Sequence, residues 1–297
     1  MPVSSNAPEI SWQVQPCFKK FIVAKYCIQH LQTHFSAMNK VHIFIYLDSA
    51  GWEILRRNDF LPDILHYRYP VCSQLGDSVT SLTTALTGQP PNVHKHFGNY
   101  YYSPRHSLRE MLGLLLHYLP CEEGCKAKTE LIAGLFRKFR GYSWCFDHLS
   151  IPPGRLRFFD YAGSRDVFAR GGTAPSKSIF DHLHEKNIPH MISDWRKSEE
   201  QNLKDMLEVI KHKQAQFCLL FMSGLDKILH HAPADEQKIA DSLKHYAKQI
   251  ENIISEADVR YDKYSVSVMS GHGMTVRQSV INIKNIIGRL GLAFGRD

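Results

Sequence analysis

Short apolar runs alternate along this chain with stretches whose apolar residues recur at helical spacing. Three of the runs are rich in β-branched and aromatic residues: Val41–Leu47, Gln216–Met222 and Tyr264–Ser270. Such runs are typical of parallel strands that are covered on both faces. Shorter strands are predicted at Val71–Leu75 and Pro189–Ile192. Helices are predicted at Glu53–Tyr67 (broken at Pro62), Gly76–Gly88, Ser178–Lys186, Glu199–Lys213, Asp235–Glu256 and Arg277–Leu290. The alternation predicts an α/β fold, a three-layer α/β/α sandwich around a mainly parallel sheet.

The pattern divides the chain into an extension and one large domain. Residues 1–40 are predicted to be an N-terminal extension with an amphipathic helix over Cys17–Asn39, and residues 41–297 the α/β domain. Residues 104–175 lack strong strand signals and contain two predicted helices, His106–Tyr118 and Thr129–Arg140. No flexible linker flanks them, so we expect a helical and loop insertion or cap on the main sheet.

Composition excludes several classes of protein. The chain has 297 residues, 43% of them hydrophobic, and a net charge of +7 without a run of like charges, so no nucleic-acid tail is indicated. The seven cysteines are dispersed and odd in number, which favours free thiols in a reducing compartment. We find neither a secretory segment at the start nor an apolar run near the ~18 residues of a membrane span. The expectation is a soluble, cytoplasmic protein.

Residues with candidate chemistry follow four predicted elements of the sheet. Asp48 follows the first strand, Ser78 begins a helix, and His272 follows the last strand. Asp226 and His230, at i and i+4 spacing, follow the apolar run that ends at Met222. The carboxyl ends of parallel strands open on one edge of a sheet, so these side chains can converge. Asp48 and Ser78 each have a simpler interpretation as a helix N-cap.

Two other clusters carry a weaker signal. His94 and His96 form an H-x-H pair in a loop, without a nearby acid, and such pairs are usually incidental. Cys121 and Cys125 lack a second pair at zinc-ribbon spacing. Carboxylates and imidazoles at the sheet edge, by contrast, are ligands that zinc or manganese accepts. A serine beside such a metal becomes a nucleophile for phosphoryl transfer.

Four segments together resemble the alkaline phosphatase superfamily, and within it the type I phosphodiesterase/nucleotide pyrophosphatase branch. They are YLDSAGW (46–52), GDSVTSLTTALTG (76–88), SGLDKILHH (223–231) and SGHGM (270–274), in the family's order. The resemblance implies that Ser78 is the nucleophile and also contacts metal. It implies metal ligands at Asp48, Asp226, His230 and His272.

The sequence departs from the family pattern at two points. The family's Asp before the last-strand histidine is Gly271 here, and the family's final histidine ligand lies in a segment beyond Asp297. The α/β domain is therefore expected to be C-terminally short. His94, His96 or His190 could in principle replace a missing metal ligand, but nothing in the sequence places any of them at the site.

The resemblance implies a metal-dependent hydrolase of a small phosphate ester, a diester or pyrophosphate, that forms a phosphoseryl intermediate. Two divalent ions are expected in the intact family site, zinc first, with manganese or magnesium as alternatives. Residues 95–175, with Tyr100–Tyr102, are expected to shape the leaving-group pocket. The alternative is a degenerate, non-catalytic or truncated member that acts as a binding protein. Sulfatases and phosphoryl transferases or mutases share the scaffold.

Overall fold

A computed structural model describes residues 39–74, 76–98, 100–102, 159–161, 166–276, 279 and 281–291. The predicted N-terminal helix and both predicted helices of the 104–175 insertion lie outside these residues. The division into extension, domain and insertion therefore stays a prediction.

The sheet is parallel, as the apolar runs predict. The strands are β1 (Lys40–Leu47), β2 (Tyr100–Tyr102), β3 (Phe159–Tyr161), β4 (His190–Ile192), β5 (Phe217–Met222) and β6 (Lys263–Met269). In the described residues, four of them form one sheet in the order β4-β5-β1-β6, and β2 pairs with β3 in an antiparallel ribbon. Leu47 lies opposite Met222, and Tyr46 lies opposite Met269. The ends of β1, β5 and β6 are therefore level, which sets the edge where the candidate residues meet.

Four of the helices, those that start at residues 78, 179, 199 and 236, begin and end within four residues of the predicted limits. The helices of the described residues are α1 (Trp52–Arg57), α2 (Ser78–Thr87), α3 (Pro91–His94), α4 (Ile179–Glu185), α5 (Glu199–Lys211), α6 (Gly224–His231), α7 (Glu236–Arg260) and α8 (Ile283–Arg289). Gly88 ends α2 in the left-handed region at φ 64°, a conformation for which glycine is the least strained residue. Ser178 and Asp181 form a capping box at the start of α4.

Side chains of β1 alternate between two buried cores. Ile43 and Ile45 pack on one face of the sheet in a cluster that includes residues of α5 and α7. Phe44 and Tyr46 pack on the other face in a cluster that includes residues of α2 and α4. Successive strand residues point to opposite faces, so helices cover both sides of the sheet. The predicted three-layer α/β/α sandwich is confirmed.

Three predicted elements differ from the structure. The helix predicted from Glu53 ends at Arg57, because Asp59 and Leu61 take positive φ values of 44° and 51°. Residues 71–74 have no strand partner, so the strand predicted at Val71 is wrong for the described residues. The last helix begins at Ile283, where Asn282 caps it, and not at Arg277.

Cysteine usage also differs from the prediction. Cys72 is disulfide-bonded, so the expectation of free thiols throughout is wrong at that position. Cys218 is a free thiol inside β5, and burial raises its pKa to about 12. Disulfides persist mainly in oxidising compartments, and Cys72 therefore weakens the argument for a reducing compartment. Within the described part of the chain, no helix has both the length and the apolarity to cross a membrane.

Candidate functional site

Three side chains from different strand ends meet at the carboxyl edge of the sheet. Asp48, Asp226 and His272 each offer a ligand atom, and these atoms lie within 4.8 Å of one another. Asp48 directly follows β1 and is 5% exposed. His272 Nε2 lies 3.2 Å from Asp48 Oδ1. The tertiary structure thus joins residues separated by more than two hundred positions in the sequence.

Ser78 completes this cluster from the first turn of α2. Its Oγ lies 2.8 Å from His272 Nε2. The cap of α2 is Asp77, whose Oδ1 accepts a hydrogen bond of 3.0 Å from Thr80 N. Because Asp77 does the capping, the simpler interpretation of Ser78 as the N-cap is wrong, and its hydroxyl faces the site.

The N-cap interpretation of Asp48 is also wrong. Helix α1 begins after Gly51, and no side chain caps it. Asp48 instead accepts a hydrogen bond of 3.1 Å from the backbone N–H of Ser49, in addition to its contact with His272. The side chains of Asp48 and Ser78 therefore contact His272, and neither of them caps a helix.

Ser49 is a member of the site that the sequence did not single out. Its backbone takes φ 61°, in the left-handed region, at the end of β1. The hydroxyl donates a short hydrogen bond to Asp226 Oδ1 and lies 3.3 Å from His272 Nδ1. It therefore links the end of β5 to the end of β6. A small hydroxyl residue directly after a strand-terminal acid was the available signal.

Two glycines allow the loops that carry Asp48 and His272 to touch. A Cβ on Gly51 would lie 2.5 Å from the Cα of Gly273. The two backbones are therefore in contact without side chains between them. Any larger residue at Gly51 would push the His272 loop away from Asp48.

Gly271 is enclosed by two side chains. A Cβ at this position would lie 2.6 Å from the Cβ of Ser81 and closer still to the hydroxyl of Tyr46. Tyr46 is fully buried and stacks on Phe221 with ring centroids 5.7 Å apart. The aspartate that the resemblance implies at this position would have no room here. Side chains from β1 and α2 occupy the space that it would need.

The Tyr46 hydroxyl is buried without a hydrogen-bond partner among the described residues. Burial and the charge of Asp48 raise the pKa of Tyr46 above its ordinary value. A polar contact with the backbone of Gly271 acts in the opposite direction, but it lacks the geometry of a hydrogen bond. The phenol therefore stays neutral beside the acidic cluster.

His230 lies at the margin of the site. It is one turn beyond Asp226 on α6, with Nε2 3.5 Å from Asp226 Oδ2, and its side chain is 63% exposed. It does not belong to the three-residue group within 4.8 Å. The structure therefore brings Asp48, Ser78, Asp226 and His272 together, and leaves His230 as a neighbour of Asp226.

The three histidines considered as substitute ligands are engaged elsewhere. His94 is buried, with Nε2 3.0 Å from Thr84 Oγ1, and its Nδ1 accepts a hydrogen bond from the backbone N–H of His96. His96 Nε2 lies 3.3 Å from the carbonyl oxygen of Ala174. His190 Nδ1 lies 2.7 Å from the carbonyl oxygen of Ile188. Among the described residues, none of the three belongs to the group of candidate metal ligands.

The electrostatics of the cluster favour a bound cation. The hydrogen bond with Asp48, opposed in part by burial, raises the pKa of His272 above its ordinary value. Two carboxylates and one imidazole, all buried or half-buried, form a donor set suited to zinc or manganese. The residues present therefore fit a divalent metal ion.

A cavity of about 540 Å³ adjoins the cluster. Gly271, His272 and Gly273 form part of its wall, Trp52 lines it, and residues of β6 form another side. The volume lies in the range of small-molecule sites, roughly 300–1,000 Å³. None of the described residues among 95–175 lines this cavity, and the leaving-group pocket predicted from those residues stays a prediction.

Comparison with known proteins identifies the family. No curated protein matches the chain. The family described as Type I phosphodiesterase / nucleotide pyrophosphatase matches residues 127–293, more than half of the chain. The match includes Asp226, His230 and His272, while Asp48 and Ser78 precede it. The chain therefore belongs to the type I phosphodiesterase/nucleotide pyrophosphatase family, a branch of the alkaline phosphatase superfamily, and the chemistry of this family is the hydrolysis of phosphate esters.

Proposed function

We propose that this protein hydrolyses a small phosphodiester or pyrophosphate in a metal-dependent reaction with Ser78 as the nucleophile. The observation that carries the proposal is the position of Ser78 Oγ, 2.8 Å from His272 Nε2, which in turn lies 3.2 Å from Asp48. A hydroxyl held beside a cluster of metal-type ligands has the arrangement that phosphoryl transfer to serine requires.

The residues of the chain account for the orientation of the nucleophile. Asp77 caps α2 and fixes Ser78 in its first turn, and His272 Nε2 holds the hydroxyl oxygen. In the proposed reaction Oγ forms a bond to phosphorus while the bond from phosphorus to the leaving oxygen breaks. The resulting phosphoseryl group lies at the N-terminus of α2, where the helix dipole favours negative charge. Water then hydrolyses it and regenerates Ser78.

Asp48, Asp226 and His272 would hold a divalent metal ion, and His230, which lies 3.5 Å from Asp226 Oδ2, would contribute to a second one. When bound, the metal would polarise the phosphoryl oxygens and lower the pKa of the serine hydroxyl. Zinc is the first candidate for this donor set, and manganese and magnesium are the alternatives to test. Elemental analysis of the chain after dialysis against each metal gives the identity and the number of ions.

Substitution of Ser78 tests the nucleophile. Ser78→Ala is expected to lower turnover of bis(p-nitrophenyl) phosphate about a thousand-fold or more, because the attacking atom is removed. Its metal content should equal that of the wild type. Ser242→Ala is the matched control and should retain full activity, because Ser242 is a half-buried serine whose hydroxyl donates to the carbonyl oxygen of Lys238 within α7. Turnover by Ser78→Ala at the wild-type rate would exclude Ser78 as the nucleophile.

A second candidate function is that of a non-catalytic binding protein of the same family. The enclosure of Gly271 by Tyr46 and Ser81 favours it, because this packing leaves no space for a further ligand at that position. Metal-loaded protein that binds inorganic phosphate but turns over neither diester, pyrophosphate nor monoester would support the binding role. Turnover that depends on added metal would support the hydrolase.

A further inference from the structure

A single carboxylate behind the cluster holds the start of the helix that carries Asp226. The backbone N–H of Gly224 donates to Glu199 Oε1 at 2.5 Å, and the N–H of Ser223 donates a short hydrogen bond to the same oxygen. The hydroxyl of Tyr246, from α7, donates to Glu199 Oε2 at 3.3 Å. Glu199 thereby joins α5, α6 and α7 at one point.

The local packing is built around this carboxylate. A Cβ on Gly224 would lie 2.9 Å from Glu199 Oε2 and closer still to the hydroxyl of Tyr246. Glycine at this position is therefore what allows the carboxylate to reach the backbone. The first amides of α6 have no partner within the helix, and the negative charge at its N-terminus complements the helix dipole.

Asp226 lies two residues beyond Gly224, in the first turn of α6. Its carboxylate must reach Asp48 and His272 to complete the cluster of ligand atoms. The position of that carboxylate depends on where α6 starts, because Leu225 and Asp226 follow Gly224 in fixed helical geometry. A shift of the first turn moves Asp226 with it.

We propose that Glu199 is a positioning residue of the metal site: by holding the amides of Ser223 and Gly224, it fixes Asp226 within the cluster. This inference rests on the proposed function, because it concerns the metal ligands named there. Glu199 does not belong to the group of candidate ligands formed by Asp48, Asp226 and His272. Its role is to keep one ligand in place, and loss of such indirect support typically costs about 10–100-fold in metal affinity.

The test compares five variants in their affinity for Zn²⁺, measured by competition with a chromophoric chelator. Glu199→Ala is expected to bind Zn²⁺ about ten-fold more weakly or worse. Glu199→Gln keeps an oxygen at the Oε1 position for both amides, so its affinity should stay within about three-fold of the wild type. Glu199→Asp keeps the charge but is one methylene shorter, and it should lose affinity as the alanine variant does. If Glu199→Ala does not fold, Glu199→Asp carries the comparison.

Glu200→Ala is the matched control. Glu200 lies in the same first turn of α5, is exposed, and forms an ion pair with Lys204 at 2.8 Å. Its loss should leave Zn²⁺ affinity unchanged. The visible spectrum of Co²⁺-loaded protein adds a readout of ligand geometry: it should change in Glu199→Ala and Glu199→Asp, and should match the wild type in Glu199→Gln and Glu200→Ala.

Urea unfolding of each metal-free variant separates positioning from simple stabilisation. If Glu199→Ala and Glu199→Asp bind Zn²⁺ as the wild type does and lose only stability, the positioning role is overturned. Asp226→Asn distinguishes this failure from that of the proposed function. When Asp226→Asn weakens Zn²⁺ binding and the Glu199 variants do not, only the inference about Glu199 is wrong. Zn²⁺ affinity unchanged in Asp226→Asn overturns the proposed metal site, and the role of Glu199 with it.

Discussion

The enclosure of Gly271 gives a prediction that can be worked out from distances. In Gly271→Ala the new Cβ would lie 2.6 Å from the Cβ of Ser81 and even closer to the Tyr46 hydroxyl. Carbon atoms in contact lie about 3.5–4.0 Å apart, so both neighbours would have to move. Tyr46 is 0% exposed and stacked on Phe221, and it has little room to do so. Overpacking of this kind costs about 1–3 kcal/mol, and we expect a loss near 3 kcal/mol in the free energy of unfolding.

Replacement of Tyr46 by Phe in the same background should recover part of that loss. It removes the nearest atom and leaves Tyr46 Cζ, at 3.2 Å, as the closest ring atom to the new Cβ. The clash with Ser81 remains, so we expect a recovery of about 1–2 kcal/mol, seen as a coupling energy in the double-mutant cycle. Tyr46→Phe by itself should be neutral or stabilising, because the hydroxyl is buried without a partner among the described residues.

Urea unfolding of the metal-free protein measures all four members of the cycle. Tyr261→Phe is the matched control, because the Tyr261 hydroxyl donates to Ala215 O at 2.8 Å. It should lose about 1 kcal/mol. If Gly271→Ala unfolds within about 0.5 kcal/mol of the wild type, the packing argument is refuted. If the argument holds, Gly271→Asp alone will not add a metal ligand, and Zn²⁺ affinity will not rise.

The cap of α2 and the buried His94 give two further predictions. Asp77→Ala should lower the free energy of unfolding by about 1 kcal/mol, because Thr80 N loses its acceptor, while Asp77→Asn should not; equal urea midpoints for Asp77→Ala and the wild type would contradict the cap. Burial, and secondarily the charge of His96, lower the pKa of His94 from 6.5 to about 4. Between these values the unfolded chain binds more protons, so the free energy of unfolding should fall as pH falls through this window, by up to about 3 kcal/mol. The pH dependence should largely disappear in His94→Gln, and an equally steep dependence in that variant would refute the assignment.

The sequence alone determined the architecture. Runs such as Val41–Leu47 are apolar throughout because both faces of a parallel strand are buried, and this local signal predicted β1, β5 and β6. Helices with a clear apolar period or a strong cap, such as α5 and α7, were predicted within a few residues. The strand at Val71 was not found, because a short apolar segment forms a strand only when a neighbouring strand pairs with it.

The sequence also determined which residues were candidates for the site. Asp48, Ser78, Asp226 and His272 were predicted from their places at the ends of elements, since parallel strands open on one edge. Their roles as ligands and nucleophile remain proposals. What the sequence left open was whether Asp48 and Ser78 were helix caps, because capping depends on the direction of each side chain.

Only the tertiary structure decided the contacts between distant segments. Ser49 reaches Asp226, Glu199 holds the amides of α6, and Tyr46 fills the space beside Gly271, in each case across large separations in sequence. No periodicity or local motif encodes such a pair, since each contact depends on the order and register of strands that assemble only in the folded sheet. The sequence shows only that Gly271 stands where the family it resembles has an aspartate. The fold shows that Tyr46 and Ser81 enclose this position, because strand β1 and helix α2 pack against it.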